Sequence, residues 1–382
     1  MSEIATASVK KVLRSHIDWL MLASAVILVL FGLVTMDSFS TTNVFFQRQI
    51  IWLIVSVGIF FGASLLDWSF LKRTNVVSAL FFFVSLLLLL LLALGHAING
   101  ARSWFNLGVV SFEPVDLAEL SLIILLAKYF SRRHVEIANI RHIIVSGVYA
   151  LVLAGLIALQ PDFGGAVVIM AAWLGMVLVS GISKKHLVTL VIVGATAFAL
   201  LWNFGLAQYQ KNRVLTFLHP LADIQGAGYN ARQATIAIGS GGILGKGIGY
   251  GTQSRLRFLP EYQTDFIFAA FAEEWGFVGI LVFFIVFGVL IWRIIVNAYR
   301  GATNFETFFG LGLAVLFTAH LFINVGMNMG LLPVTGITLP FVSYGGSHLA
   351  ASFLSLGILV SMRKYMRQTH PERIDTEVVG LN

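Results

Sequence analysis

Acidic side chains stand at the borders between polar and apolar stretches of this sequence, where a carboxylate can take part in proton transfer. Asp265 lies in the segment Phe258–Phe268, directly before a long apolar stretch, and Asp162 lies in a very short polar segment between two others. Asp265 could cap a helix, because the helix dipole stabilises an anion at the N-terminus. For Asp265 taken alone, capping is the favoured interpretation. The chemical alternative is a general base, which removes a hydroxyl proton so that the oxygen can attack.

Basic side chains share the polar segments with these acids, which favours a charged cavity over isolated caps. Among them are Arg102, Arg213 and Lys246. Further acids lie near Trp104 or a turn or more inside predicted helices: Glu113, Asp116, Glu119, Glu273 and Glu274.

Metal binding is not indicated by any spacing in the sequence. No group of His or carboxylate residues has the pattern of a ligand set, so we predict no metal site and leave an assisting divalent cation open. We expect the nine histidines, His348 included, to serve packing or the surface.

The glycine-rich segment Gly239–Gly247 resembles a phosphate-binding loop at first sight. The P-loop pattern requires a glycine five residues before the Gly-Lys pair and a Ser or Thr after it. Those positions hold Ser240 and Gly247, so the pattern fails. Two interpretations remain open: backbone N–H groups that bind a phosphate, or tight turns at a membrane surface.

The composition places these residues in a membrane protein. Of the 382 residues, 58% are hydrophobic and only 11% are charged, and the mean hydropathy is +0.88. Soluble domains carry about 25% charged residues. The net charge of +7 is dispersed between apolar segments, which indicates topology signals and lipid contacts rather than a nucleic-acid surface. The absence of cysteine excludes disulfides and a Cys nucleophile.

Ten apolar segments have about the length that spans a bilayer, which is about 20 residues. We place them near 17–36, 47–66, 75–95, 115–131, 142–160, 163–181, 186–206, 265–292, 305–330 and 344–362. Lys and Arg are concentrated in alternate loops, and the positive-inside rule then predicts that both termini are cytoplasmic. The sequence thus predicts an all-α polytopic membrane protein with a cytoplasmic segment 1–16, a membrane domain 17–363 and a cytoplasmic tail 364–382.

One long extracytoplasmic loop, residues 207–264, interrupts this pattern. Apolar residues alternate with its charges, so we expect short amphipathic segments at the outer membrane surface rather than disorder.

The motifs of this sequence resemble those of the SEDS proteins (shape, elongation, division and sporulation), and the RodA type more than the FtsW type. The resemblance covers about residues 15–365, and Gly-Lys-Gly followed by Gly-Thr-Gln-Ser is typical of the RodA type. The matching stretches are Gly100–Trp104, Gln160–Asp162, Ala237–Gly242, Gly245–Gly247, Gly251–Ser254, Phe258–Glu261, Thr264–Phe268, Gly330–Pro333 and Pro340–Ser347.

This resemblance implies a peptidoglycan glycosyltransferase of the bacterial cytoplasmic membrane. Such an enzyme polymerises lipid II into glycan strands at the outer face during cell elongation. The implied partners are lipid II, the nascent strand, a class B penicillin-binding protein and the elongation machinery, but no nucleic acid. A lipid II flippase is the alternative, and a scaffold without chemistry is a third reading. The sequence shows no inverted repeat of the kind common in transporters.

The resemblance also assigns residues. Asp265 matches the family's essential aspartate, and we predict that it is the general base. The predicted substrate-binding residues are Arg102, Asp162, Arg213, Lys246, Glu261 and Ser343. Because pyrophosphate leaves as an anion, one carboxylate can suffice if cations neutralise the developing charge. The candidates that the resemblance implies for this role are Arg102, Arg213 and Lys246. Arginine suits it because its planar guanidinium donates two parallel hydrogen bonds to one anion.

Three departures from the family pattern concern the site. Gln263 stands where the family commonly has His, and Tyr262 where Arg is usual. The usual Gln-Pro-Ser-Glu-Leu-Ala-Lys reads Glu113–Glu119 here, so that the Glu–Lys pair becomes Asp116 and Glu119. Like charges three residues apart on a helix repel. Another cation must therefore serve, or one acid is protonated.

Overall fold

A computed structural model describes residues 17–38, 44–95, 104–106, 111–132, 140–219, 227–256, 258–259 and 261–369. In chain order the helices are α1 (Trp19–Asp37), α2 (Val44–Leu65), α3 (Thr74–Leu94), α4 (Pro114–Ser131), α5 (Ile140–Leu159), α6 (Phe163–Val179), α7 (Lys184–Leu200), α8 (Gln208–Leu218), α9 (Ala227–Gly241), α10 (Thr252–Arg255), α11 (Ile267–Tyr299), α12 (Asn304–Asn328) and α13 (Gly346–Thr369). A 3₁₀ turn at Ser69–Lys72 and a π-helical turn at Leu201–Gly205 complete the helical structure of the described residues.

Most of these helices are long and apolar, as the sequence predicts. Seven are long and apolar enough to cross a membrane, and Phe163–Val179 and Gly346–Met362 are shorter apolar helices. α2, α3 and α7 expose large apolar side chains such as Ile54, Phe82 and Val191. Water does not favour such surfaces, but lipid does. The chain is a multi-pass helical membrane protein.

The polar region before α11 contains three helices joined by non-helical segments. α8, α9 and α10 lie within residues 207–264. The described strands are limited to an antiparallel pair, β1 (Phe105–Asn106) and β2 (Ser111–Phe112), in which Phe105 faces Phe112. This small hairpin, which the sequence analysis did not predict, leads into α4.

α12 lies at the centre of the bundle, where it packs against α4, α6, α11 and α13. α1 and α9 pack on α11, and α2 packs on α13. Phenylalanine fills much of the core, and among the fully buried side chains are Phe268, Phe271, Phe283, Phe287 and Phe309. A second, smaller cluster of Ala234, Ala237, Leu259, Tyr262, Phe266, Ala269 and Ala270 holds the start of α11 against α9. These two clusters fix the residues on either side of Asp265.

α11 is broken once, at Gly276, where φ is 64° and ψ is −165°. The glycine-rich segment bonds to the backbone groups that the break frees. The Lys246 and Gly247 N–H groups donate to the Glu273 and Glu274 carbonyls at 3.0 Å each, and Phe277 N–H donates to the Gly242 carbonyl at 2.9 Å. The N–H groups of Lys246 and Gly247 are thus paired within the protein, which favours the tight-turn interpretation over a phosphate-binding loop.

Candidate active site

A cavity of about 440 Å³ lies where α4, α6 and α11 begin and where α8 approaches them. Its walls are unusually acidic. The ionisable side chains that line it are Glu113, Asp116, Glu119, Asp162, Glu261, Asp265, Arg213, His320 and His348. The remaining wall includes Trp104 and the segment Thr335–Thr338. The charged cavity that the sequence predicts is therefore present, with Asp265, Asp162, Arg213 and Glu261 brought together in it.

Asp265 sits in the turn that precedes α11 and is held there through its backbone. Its carbonyl accepts hydrogen bonds from the side-chain amides of Asn324 and Asn328, both at 3.0 Å. Asn324 also donates to the Ile337 carbonyl at 2.7 Å, so that the same amide holds the opposite wall. Both asparagines are fully buried on α12, and sequence reasoning missed them. Their spacing of four residues in a largely apolar helix was the available signal.

The environment of the Asp265 carboxyl makes it a base suited to neutral pH. Burial raises the pKa of Asp265 to about 6, and the negative charge of Glu261 acts in the same direction. The Thr264 hydrogen bond and the positive charge of Arg213 oppose this rise. A general base is most effective when its pKa lies near the working pH. Asp265 does not show the N-cap hydrogen bond of a simple cap, because Phe266 occupies that position and makes none.

Asp162 caps α6 and faces the same cavity. Its Oδ1 accepts from the Gly165 N–H at 2.9 Å, which satisfies an otherwise unpaired amide of the first turn. Burial raises the pKa of Asp162, although the bond from Gly165 opposes the shift. A Cβ on Gly165 would lie 2.7 Å from Asp162 Oδ2, so a larger residue there would displace the capping carboxylate.

Glu113, just before α4, completes this group of acids. Burial raises the pKa of Glu113 well above its ordinary value, and the negative charge of Asp116 adds to the shift. Its side chain makes no capping hydrogen bond to α4. The sequence placed Glu113 beside Trp104 but assigned it no substrate role.

The two acids that depart from the family pattern are each paired with a histidine. His348 Nδ1 lies 2.8 Å from Asp116 Oδ1, and His320 Nε2 lies 3.0 Å from Glu119 Oε2. Our expectation that the histidines serve only packing or the surface is wrong for these two, because both line the cavity. The repulsion expected between Asp116 and Glu119 is thus relieved by partners from α12 and α13, which α4 alone does not reveal.

Three predicted substrate-binding residues lie apart from the cavity or from the described chain. Lys246 Nζ bonds Glu273 Oε1 and Thr252 Oγ1, both at 2.7 Å, and Lys246 is not a lining residue. Ser343 is buried, and its hydroxyl donates to the Thr264 carbonyl at 2.6 Å. It supports the backbone next to Asp265 instead of facing the cavity. Arg102 lies outside the described residues.

A metal site does not emerge from the geometry. Among the residues that the structure describes, no three His, Asp or Glu side chains come together in a way that could hold a metal ion. The assisting divalent cation that the sequence leaves open is not tested by this arrangement.

These features define a class: a multi-pass membrane protein whose buried carboxylates and one arginine surround a cavity at one end of a helical bundle. The model of the FtsW/RodA/SpoVE family of cell cycle proteins matches residues 12–368. The chain belongs to this family, which is the SEDS family that its motifs resemble.

Two curated relatives indicate the activities found in the family. The peptidoglycan glycosyltransferase MrdB of Escherichia coli K12 is 38% identical over 275 residues, which are 72% of this chain and 74% of MrdB. The probable peptidoglycan glycosyltransferase FtsW of Thiomicrospira cyclica is 37% identical over 329 residues, which are 83% of this chain and 81% of that protein. These two identities are nearly equal, so they do not separate the two types within the family.

Two solved structures share the fold. A chain from a peptidoglycan synthase complex that coordinates polymerization and crosslinking has a TM-score of 0.79 and 31% identity, with 92% of this chain and 98% of that chain covered. The crystal structure of the rod shape determining protein RodA of Thermus thermophilus has a TM-score of 0.68 and 30% identity, with 91% and 96% covered.

Proposed function

We propose that this chain is a peptidoglycan glycosyltransferase that polymerises lipid II into glycan strands, with Asp265 as the general base. The observation that carries the proposal is the position of Asp265 in the 440 Å³ cavity, with its pKa raised to about 6 and Arg213 nearby. The glycosyltransferase names of the relatives support the class of reaction.

The chemistry requires one proton transfer and one departing anion. Asp265 takes the proton of the acceptor GlcNAc 4-hydroxyl as that oxygen attacks the anomeric carbon of the growing strand. The bond from this carbon to the pyrophosphate oxygen breaks with inversion, and its electron pair leaves with undecaprenyl pyrophosphate. Without a positioned base, a sugar hydroxyl is a poor nucleophile. Arg213, on the cavity wall, is the described cation suited to neutralise the leaving phosphate.

The proposal includes a topology. Ten helices cross the cytoplasmic membrane of a bacterium, both termini are cytoplasmic, and the cavity faces outward. The charges at the other end of the bundle support this orientation, because Lys72 bonds Glu306 at 2.8 Å and Arg293 bonds Asp18 at 2.6 Å there. Basic residues favour the cytoplasmic side.

A class B penicillin-binding protein is the proposed partner, with the elongation machinery around it. The support is the fold shared with a chain of a complex that polymerises and crosslinks peptidoglycan. Lipid II and the nascent strand are the proposed substrates.

The test is polymerisation by purified protein in complex with its cognate transpeptidase and labelled lipid II, with products resolved on a gel. We expect a ladder from the wild type and from Asp67→Asn, and none from Asp265→Asn at equal folding. Asp67 is an exposed carboxylate in the α2–α3 loop, and it serves as the matched control. Equal ladders from all three would remove Asp265 from the mechanism. No ladder from any of them, together with lipid II movement in liposomes, would favour the flippase.

A further inference from the structure

His320 is a buried side chain whose two ring nitrogens both face acceptors. Nε2 lies 3.1 Å and 3.0 Å from the two carboxyl oxygens of Glu119, and Nδ1 lies 3.4 Å from the Thr338 carbonyl oxygen. A carbonyl can only accept, and so can an ionised carboxylate. A neutral imidazole has one N–H and could satisfy only one of these partners.

His320 thus contacts Glu119 on α4 through Nε2 and the Thr338 carbonyl oxygen through Nδ1. One buried side chain of α12 therefore connects α4 to the segment 335–338 of the cavity wall.

The same contacts tie one wall of the cavity to α12. His320 holds the Thr338 carbonyl, and Asn324, one turn later, holds the Ile337 carbonyl at 2.7 Å and the Asp265 carbonyl at 3.0 Å. Gly336 lies directly beside the base, because a Cβ added there would be 3.5 Å from Asp265 Oδ2. The segment 335–338 thus faces the reacting carboxylate and is held by two neighbouring side chains of one helix face.

We propose that His320 is a positioning residue for Asp265, which joins Glu119 to the Thr338 carbonyl and so fixes the segment 335–338 against the base. The proposal rests on the proposed function for its kinetic consequence. His320 touches the wall rather than the reacting atoms. The other ionisable groups around it are His348, whose ring centroid lies 5.2 Å away, Asp116 behind His348, and the cavity-lining Glu113, Asp162, Glu261, Asp265 and Arg213.

The kinetic test compares His320→Gln with His142→Gln in the full chain with its transpeptidase. Both histidines are 4% exposed, and His142 bonds Tyr129 on α4, away from the cavity lining. Glutamine has N–H donors on one terminal atom and an acceptor oxygen on the other, so it cannot donate from both positions of the ring nitrogens. His320→Gln should therefore lower kcat at least about tenfold, because small displacements of a catalytic group are costly. KM should stay within about twofold, and His142→Gln should leave both constants unchanged. His320→Lys, which keeps a donor with several N–H groups, should recover part of kcat.

A second measurement, hydrogen–deuterium exchange of residues 333–343, does not depend on activity. Exchange should rise in His320→Gln and stay at the wild-type level in His142→Gln. An unchanged kcat, or a higher KM with kcat intact, would overturn the proposal, as would unchanged exchange. If His320→Gln does not fold, Glu119→Ala, which removes the partner of Nε2, replaces it and should show the same loss of kcat and the same rise in exchange. A wild type that makes no glycan refutes the proposed function instead, and the exchange result still decides the role of His320.

Discussion

At the scale of single residues, the chemistry of the site depends on how a carboxylate is held away from water. Asp265 is partly enclosed, and its own side chain is close to Gly336, Thr264 and Arg213. Burial disfavours the charged form, whereas Arg213 favours it. The balance leaves a base that is ionised at neutral pH and still basic enough to accept a hydroxyl proton.

This balance predicts an acid limit for polymerisation. Protonated Asp265 cannot act as a base, so the rate should fall about tenfold per pH unit below pH 6. Glu261→Gln removes a negative neighbour that raises the pKa of Asp265, so the acid limb should move to lower pH. The measurement is the initial rate of glycan formation by the complex between about pH 5 and about pH 8.

The free energy of unfolding should fall over the pH range in which the rate of polymerisation rises. The two measurements together therefore distinguish protonation of Asp265 from unfolding. The pKa of Asp265 rises on folding from 3.8 to about 6, so the folded state binds more protons between these values. The contribution of Asp265 to the free energy of unfolding is therefore full below about pH 4 and is lost as the pH rises to about 6. Two results would contradict the assignment of Asp265 as the general base. One is a rate of polymerisation that follows the folded fraction, and the other is an acid limb of the pH–rate profile that does not move in Glu261→Gln.

At the scale of elements, the break in α11 and the glycine-rich segment form one unit. Gly276 interrupts the helix, and the segment Gly239–Gly247 pairs with the backbone groups that the interruption exposes. Glycine is required on both sides, because a Cβ on Gly245 would lie 2.0 Å from the Glu274 carbonyl oxygen, and one on Gly276 would lie 2.2 Å from the Gly245 nitrogen. Lys246 closes the unit by its ion pair with fully buried Glu273. Unpaired backbone groups are costly in a low-dielectric surrounding.

Gly276→Ala should therefore destabilise the protein, and Gly288→Ala should not. Both glycines lie in α11, but Gly288 has regular helical surroundings with no atom within 4 Å of an added Cβ. The positive φ alone costs about 1–3 kcal/mol for a residue with a side chain, and the clash adds to this cost. In Gly288→Ala the better helix propensity of alanine gives between no change and about 1 kcal/mol of stabilisation. Thermal unfolding in detergent measures both, and equal midpoints for the two variants would refute the role of the break.

The elements themselves were largely predictable, whereas their pairing was not. Apolar length alone located the seven helices that are long enough to cross a membrane, because a bilayer requires such segments whatever their neighbours are. The partners of the acids on α4 were not predictable, since His320 and His348 lie about 200 residues or more away along the chain. The same holds for Lys246, whose sequence context suggested a phosphate contact and whose structural partner is Glu273. The two histidine contacts form only when α4 packs against α12 and α13, and the Lys246 contact forms only when the glycine-rich segment packs against α11.

At the scale of the whole molecule, ionic groups separate into two ends of the bundle. The cavity lies at the start of α11, and the Arg293–Asp18 and Lys72–Glu306 pairs lie near the end of α11 and the start of α12. The apolar middle of the helices lies between them. The cavity lies at one of these two ends, and the side of the membrane on which that end lies decides the source of the substrate.

The orientation can be tested directly, because the chain has no cysteine and a single introduced thiol is the only one to label. Gln208→Cys stands at the start of α8 on the cavity side, and Ala302→Cys stands between α11 and α12 on the other side; both positions are exposed. A membrane-impermeant maleimide should label Gln208→Cys in intact cells, and Ala302→Cys only after permeabilisation, because basic loops stay in the cytoplasm. Both variants should keep wild-type polymerisation. The reverse labelling pattern would place the cavity in the cytoplasm, where Asp265 could not extend a glycan strand outside the membrane, and the proposed function would fail with it.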